Sequence, residues 1–93
     1  MTVATTKILT GSDWQELTAN DATLITLQCL SGWPVLIKGA ADSTIPSDEL
    51  GAFEIGPGEG LLNVGFAALF PGMVAVRLFA KGREGVRIVV HHD

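Results

Sequence analysis

The sequence predicts an all-β fold, a small antiparallel β-sandwich or barrel of about six to eight short strands. Three observations carry that reading. The last third alternates: Val74, Val76 and Leu78 interleave with Ala75, Arg77 and Phe79, Lys81-Gly82-Arg83-Glu84-Gly85 interrupts, and Val86, Ile88 and Val90 then alternate with Arg87 and Val89. Successive strand side chains point to opposite faces, so two period-two runs about a short glycine-containing break predict a C-terminal β-hairpin within Met73–His91. A second pair of apolar runs, Ala22–Leu30 and Trp33–Lys38, surrounds Ser31-Gly32 and predicts another hairpin. Finally, the 11 glycines and 4 prolines fall with Asn and Asp in clusters between the apolar runs, as turns between short strands require.

Taken in order, residues 1–10 are threonine-rich and end in Lys7-Ile8-Leu9-Thr10, which predicts a flexible start, with residues 1–7 free to act as an arm, and a first short strand. Gly11-Ser12-Asp13 is a turn signal. Trp14-Gln15-Glu16-Leu17 follows with capping-box spacing from Ser12 or Asp13, but Asn20-Asp21 ends it within two turns, so a strand carrying Trp14 inward is expected. In Ala22–Leu30 the residues Ile25, Leu27 and Cys29 share one face and Thr26 and Gln28 the other. Pro34 has no N–H to donate, which places the next strand at a sheet edge or just after the turn. Gly39–Glu49 reads as a long polar loop, the kind of segment that often makes contacts. Leu50–Ile55 is a short strand, Gly56-Pro57-Gly58-Glu59-Gly60 a turn, and Leu61–Val64 a further strand. Gly65–Phe70 lacks β-branched residues and predicts one helical turn or a 3₁₀ segment, ended by Pro71-Gly72. His91-His92-Asp93 reads as a polar tail.

Composition bounds the function. Ninety-three residues make one domain, 1–93, with one thin core. Hydrophobic residues are 47% and charged residues 17%, against about 25% charged in ordinary globular chains. So few polar groups leave apolar surface uncovered, and such surface marks an interface. A homo-oligomer, or a subunit docked on a larger assembly, is therefore expected. A net charge of −4 lacks the basic footprint of a nucleic-acid binder. No run approaches the roughly 18 apolar residues of a membrane span, and the N-terminus lacks the basic-then-apolar pattern of a signal peptide. No nucleic acid and no membrane are expected as partners. One cysteine, Cys29, excludes an internal disulfide and cysteine-rich zinc patterns.

No stretch carries a reaction. His91 and His92 are neighbours on a strand phase and point to opposite faces, whereas a zinc site needs three or four converging ligands. Gly56–Gly60 has no following Gly-Lys-Ser/Thr of a phosphate loop. Asp42, Asp48, Glu49, Glu54 and Glu59 are scattered acids, simplest as a solvated face, and no Gly-x-Ser-x-Gly elbow exists. Cys29, between apolar neighbours, reads as a buried inert thiol. Trp14 and Trp33 are packing residues or interface anchors, with a sugar-stacking platform as the alternative. Phe66, Leu69 and Phe70 complete the set of expected contact residues. No catalytic residue, metal or cofactor is expected.

The order of signals resembles a known group. A Trp-bearing strand is followed by Leu24-Ile25-Thr26-Leu27-Gln28, a Ser-Gly break, Trp33-Pro34-Val35-Leu36-Ile37, a loop, Pro57-Gly58-Glu59-Gly60 and the closing runs Val74–Gly82 and Val86–Val90. Over residues 14–91 this resembles small all-β virion proteins encoded among the structural genes of tailed bacteriophages and prophages. The resemblance implies a non-enzymatic virion subunit: a capsid decoration or cement protein, or a head–tail or tail accessory protein. Its implied partners are further copies of itself, with a trimer among the options, and a major capsid or other virion protein. Its implied location is the virion, with host cytoplasm during assembly. No functional residue carries over, because the shared positions are structural. A carbohydrate-binding β-sandwich module is the alternative function.

Overall fold

Eight strands and one helical turn follow each other as β1 (Val3–Ile8), β2 (Gln15–Glu16), β3 (Leu24–Cys29), β4 (Val35–Ala40), β5 (Phe53–Ile55), β6 (Gly60–Gly65), α1 (Phe66–Leu69), β7 (Arg77–Gly82) and β8 (Arg87–His92). The structure, a computed structural model, describes residues 3–10, 13–48, 51–70 and 76–93. The expected turn residues Gly11 and Ser12, the strand start at Leu50 and the first alternating residues Val74 and Ala75 lie outside them.

The strands form two four-stranded antiparallel sheets, sheet A in the order β1-β8-β3-β6 and sheet B in the order β2-β7-β4-β5. The fold is therefore a sandwich. Inward side chains come from every other position: Ile25, Leu27 and Cys29 of β3 and Ile88 and Val90 of β8 face Val35 and Ile37 of β4 and Leu78 and Ala80 of β7, all at 1% exposure or less. These residues belong to one core cluster with Leu9, Leu17, Val86, Phe66 and Phe70.

The C-terminal hairpin forms about a short turn in which Val86 N–H donates to the Arg83 carbonyl (3.2 Å) and Gly85 sits at φ 90°. Its two arms enter different sheets. β7 pairs with β2 and β4, β8 with β1 and β3, and two backbone groups of the turn bind Leu9: Gly85 N–H donates to the Leu9 carbonyl (2.8 Å) and Leu9 N–H to the Val86 carbonyl (2.9 Å). The hairpin expected across Ser31-Gly32 needs correction, because β3 and β4 also lie in opposite sheets. Leu30–Pro34 is too long for a tight two-residue hairpin turn and crosses between layers, which in sandwiches lie about 10 Å apart. Among consecutive strands only β4 and β5 share a ladder.

Three further expectations are revised. Residues 3–7 belong to a strand, β1, paired with β8 from Val3↔His92 to Ile8↔Arg87, so the flexible arm does not extend over them; extended, β-favouring threonines suit a ladder. Gly39 and Ala40 lie in β4 opposite Leu78 and Arg77, which shortens the polar loop from its start. His91 and His92 are the last residues of β8 and do not trail out. The helical turn is where the sequence places it. Phe66 N–H donates to the Thr23 carbonyl (3.0 Å) and Phe70 N–H to the Phe66 carbonyl (2.9 Å), while Phe70 packs against Phe66 edge-on at 6.3 Å and against Phe53 at 5.6 Å.

Candidate functional site

Register fixes what each sheet shows to the outside. In sheet A, Val89 and His91 of β8 stand opposite Gln28 and Thr26 of β3 and opposite Thr6 and Ala4 of β1. Directly opposed antiparallel residues share a face, so these side chains form the outer surface with Arg87 and Ile8. Beyond β3, Gly60 stands opposite Gln28, which turns the residue two positions on in β6, Leu62, to the same side at 81% exposure. Among the described residues Arg87 is the only Lys, Arg, Asp or Glu in this array. Thr26, Gln28, Gly60, Leu62, Val89 and His91 line a shallow groove of about 370 Å³ across it.

Two local features shape the groove. A β-carbon on Gly60 would collide with the Leu27 carbonyl oxygen, so only glycine lets β6 start this close to β3. Between Ile25 and Leu27 the β3–β6 register shifts, Asn63 adopts φ 50°, and its N–H donates to the Thr26 hydroxyl (2.8 Å). This bulge bends the free edge strand.

The outer face of sheet B is built differently. Arg77, Phe79 and Lys81 of β7 lie opposite Ala40, Lys38 and Leu36 of β4, so Phe79 points away from sheet A. It is nevertheless 1% exposed, and Trp14, beside it at the head of β2, is 5% exposed. Arg77 binds Asp21 (Nε to Oδ1, 2.8 Å), Glu16 (Nη1 to Oε2, 2.7 Å) and the Ser43 hydroxyl (2.9 Å). The Asp21 and Glu16 hydrogen bonds raise the guanidinium pKa above its already high ordinary value. Lys38 Nζ donates to Asp48 Oδ1 (2.6 Å) and to the Asp48 carbonyl (3.2 Å), so the segment after β4 is tied back over this face at Ser43 and Asp48.

The expected contact residues divide. Phe66 and Phe70 are 3% and 5% exposed within the core, Leu69 is half-buried against it, and Trp14 is buried with Lys81 Nζ 5.8 Å from its ring centroid. These four pack within the chain. Trp33 is 52% exposed, with the Arg83 guanidinium 4.0 Å from its ring centroid. Two exposed coplanar indoles, which a sugar platform needs, are therefore not present.

The titratable candidates serve as structural ties. Asp42 accepts the Thr44 N–H (2.8 Å) in a local turn, and that bond holds its carboxyl below the usual carboxylate range. Glu59 Oε1 accepts the Gly56 N–H (2.7 Å) while its own N–H donates to the Gly56 carbonyl (3.0 Å), closing the Gly56–Glu59 turn. Asp93 Oδ1 accepts from Thr23 N–H (2.8 Å) and Leu24 N–H (3.1 Å), and Oδ2 from the Thr23 hydroxyl (2.5 Å). The Thr23 hydroxyl, then these two amides, hold the Asp93 carboxyl far below the usual carboxylate range. His92 is 3% exposed, and its Nε2 accepts the Ala19 N–H (3.1 Å). A ring nitrogen that accepts carries no proton, so the hydrogen lies on Nδ1, 2.9 Å from the Asp93 main-chain oxygen. His91 points the other way into the groove, as neighbouring strand residues must. Cys29 is fully buried, its Sγ 3.3 Å from the Trp33 carbonyl oxygen.

Sequence reasoning placed Thr26 on the face opposite Ile25, Leu27 and Cys29 and missed Leu62 and Val89 as residues of a candidate surface. The available signal was Leu61-Leu62: adjacent apolar residues on one strand cannot both face the core. Comparison of the chain with protein-family models, with curated proteins and with solved structures gives no match.

Proposed function

We propose that this chain is a non-enzymatic structural subunit of a phage particle, of the capsid decoration or cement kind, that oligomerises and docks on the shell. The observation that carries the interaction role is the outer face of sheet A. Among the described residues it holds a single Lys, Arg, Asp or Glu, and Leu62 stands 81% exposed on it with the β6 edge beside it. Burying one leucine is worth about 1.5–3 kcal/mol, and repetition over a symmetric shell multiplies such small contacts into avidity. The charged side chains that a reaction would draw on are engaged in Arg77–Glu16–Asp21, Lys38–Asp48 and Asp93–Thr23. The particle itself enters through the order of strands and turns that resembles small virion proteins.

Light scattering behind a sizing column tests the first half. A discrete oligomer is expected, and a species at 9.8 kDa at all concentrations would remove self-association. Mass spectrometry of particles purified from a culture in which the gene is expressed with its phage tests the second half. Fixed stoichiometry with the major shell protein is expected; recovery only among free proteins would remove the virion assignment. A glycan screen addresses the carbohydrate alternative, which now rests on Trp33 alone.

A further inference from the structure

We propose that β1 is an exchangeable strand, and that in the oligomer Val3–Ile8 of one copy occupies the β8 edge of a second copy. The proposal rests on the self-association just argued and assigns its contact.

β1 is the more weakly packed of the two edge strands of sheet A: β6 at the other edge packs Leu61 against the core, whereas β1 contributes no residue from Ala4 to Ile8. It pairs with β8 at six positions, from Val3↔His92 to Ile8↔Arg87. Yet Ala4, Thr5, Thr6 and Ile8 are exposed and Lys7 is half-buried, although Thr5 and Lys7 stand opposite the fully buried Val90 and Ile88 on the core side. No residue from Ala4 to Ile8 enters the core cluster. What holds β1 is the backbone ladder, and a ladder is blind to which copy supplies the strand. Core packing, which would tie a strand to its own chain, is lacking from Ala4 to Ile8.

Its root is fixed. Leu9 is 1% exposed and bonded on both sides to Gly85 and Val86. β1 thus pivots next to a pinned residue and, at about 3.4 Å per residue, reaches roughly 20 Å from it. The occupant of a vacated β8 edge is a second copy's β1, because that sequence already matches this edge in register. Reciprocal exchange closes a dimer, and head-to-tail exchange closes a ring such as a trimer.

The test uses the Ala4↔His91 pair, both exposed. Opposed antiparallel residues lie within disulfide reach, and the fully buried Cys29 stays in place. A tagged chain carrying Ala4→Cys and an untagged chain carrying His91→Cys are co-expressed, mildly oxidised and run without reductant. The mixed disulfide is expected as the main cross-linked species, and replacing His91→Cys by Arg87→Cys, four residues out of register, should abolish it. The double variant Ala4→Cys/His91→Cys should form covalent oligomers. Closure within single chains only, with no mixed species, would overturn exchange. Light scattering of the same unoxidised samples separates the two ideas: an oligomer with intrachain closure overturns exchange and leaves self-association standing, and a monomer overturns both.

Discussion

The two sheets contribute similar inner faces to one core and differ sharply outside. On sheet B, Phe79 projects away from the core and is still buried, with Trp14 beside it and Lys38, Asp48, Arg77, Glu16 and Asp21 in ion pairs around them. On sheet A, the corresponding positions are Thr26, Gln28, Val89 and Leu62, with no ion pair among the described residues and Gln28 Nε2 donating to the Gly58 carbonyl (3.1 Å) of the neighbouring turn. A chain poor in charge has concentrated it on one side. The difference separates stability from association: the charged face keeps its own loop in place, and the neutral face is free to meet another molecule.

Substitution of the two outer faces should break this symmetry most strongly at Phe79. Phe79→Ala removes a buried aromatic outside the inter-sheet core and should cost about 3–5 kcal/mol. Val89→Ala, at the same kind of outward position on the other sheet, should cost no more than about 1 kcal/mol. Urea midpoints of the two variants measure the difference; equal losses would mean that the faces are covered alike. Gly60→Ala comes next. The added methyl meets the Leu27 carbonyl oxygen, so β6 must shift, at about 1–3 kcal/mol. Its amides should lose protection in hydrogen exchange before those of β8.

Much of this was legible beforehand. Alternation showed that Ile25, Leu27 and Cys29, and Val86, Ile88 and Val90, point inward, and the unbranched Phe66–Leu69 showed a helical turn. Alternation states which way a side chain faces and says nothing of which strand lies alongside, so consecutive strands read as hairpin partners when nearly all of them change sheets. His92 shows a signal that was present and passed over: it continues the inward phase of Val86, Ile88 and Val90, and it is buried as they are. Phe79 shows the converse. Its outward phase is correct, and its burial depends on a loop tied down by contacts that are long-range in sequence, such as Arg77 to Ser43. The candidate face was the least legible part, because it is made of unremarkable residues from four strands brought together only by register.

A smaller effect belongs to Asp93, which ties the end of β8 to the start of β3 within sheet A. Its folded-state pKa is lowered by Thr23 and Leu24, so its contribution is complete above the ordinary carboxylate value of about 3.9 and is lost as pH falls through the lower folded value. Asp93→Asn should therefore lower the urea midpoint at neutral pH. The gap to the unaltered chain should narrow steadily below about pH 4. A gap independent of pH would show that the carboxylate's charge plays no part.

The smallest effect on stability should come from Leu62→Glu, and it is the most informative about function. At 81% exposure Leu62 contributes little to the folded chain, so the unfolding free energy of the isolated subunit, read by urea titration, should change by no more than about 0.5 kcal/mol. The same charge on a face where Arg87 is the only Lys, Arg, Asp or Glu among the described residues should be costly on burial against another molecule. Solution mass and shell binding should both fall, while the Arg77 and Lys38 ion pairs on the opposite face are untouched. A Leu62→Glu chain that assembles and docks as before would move the interface off sheet A, and the exposed Trp33–Arg83 corner would then be the next surface to charge.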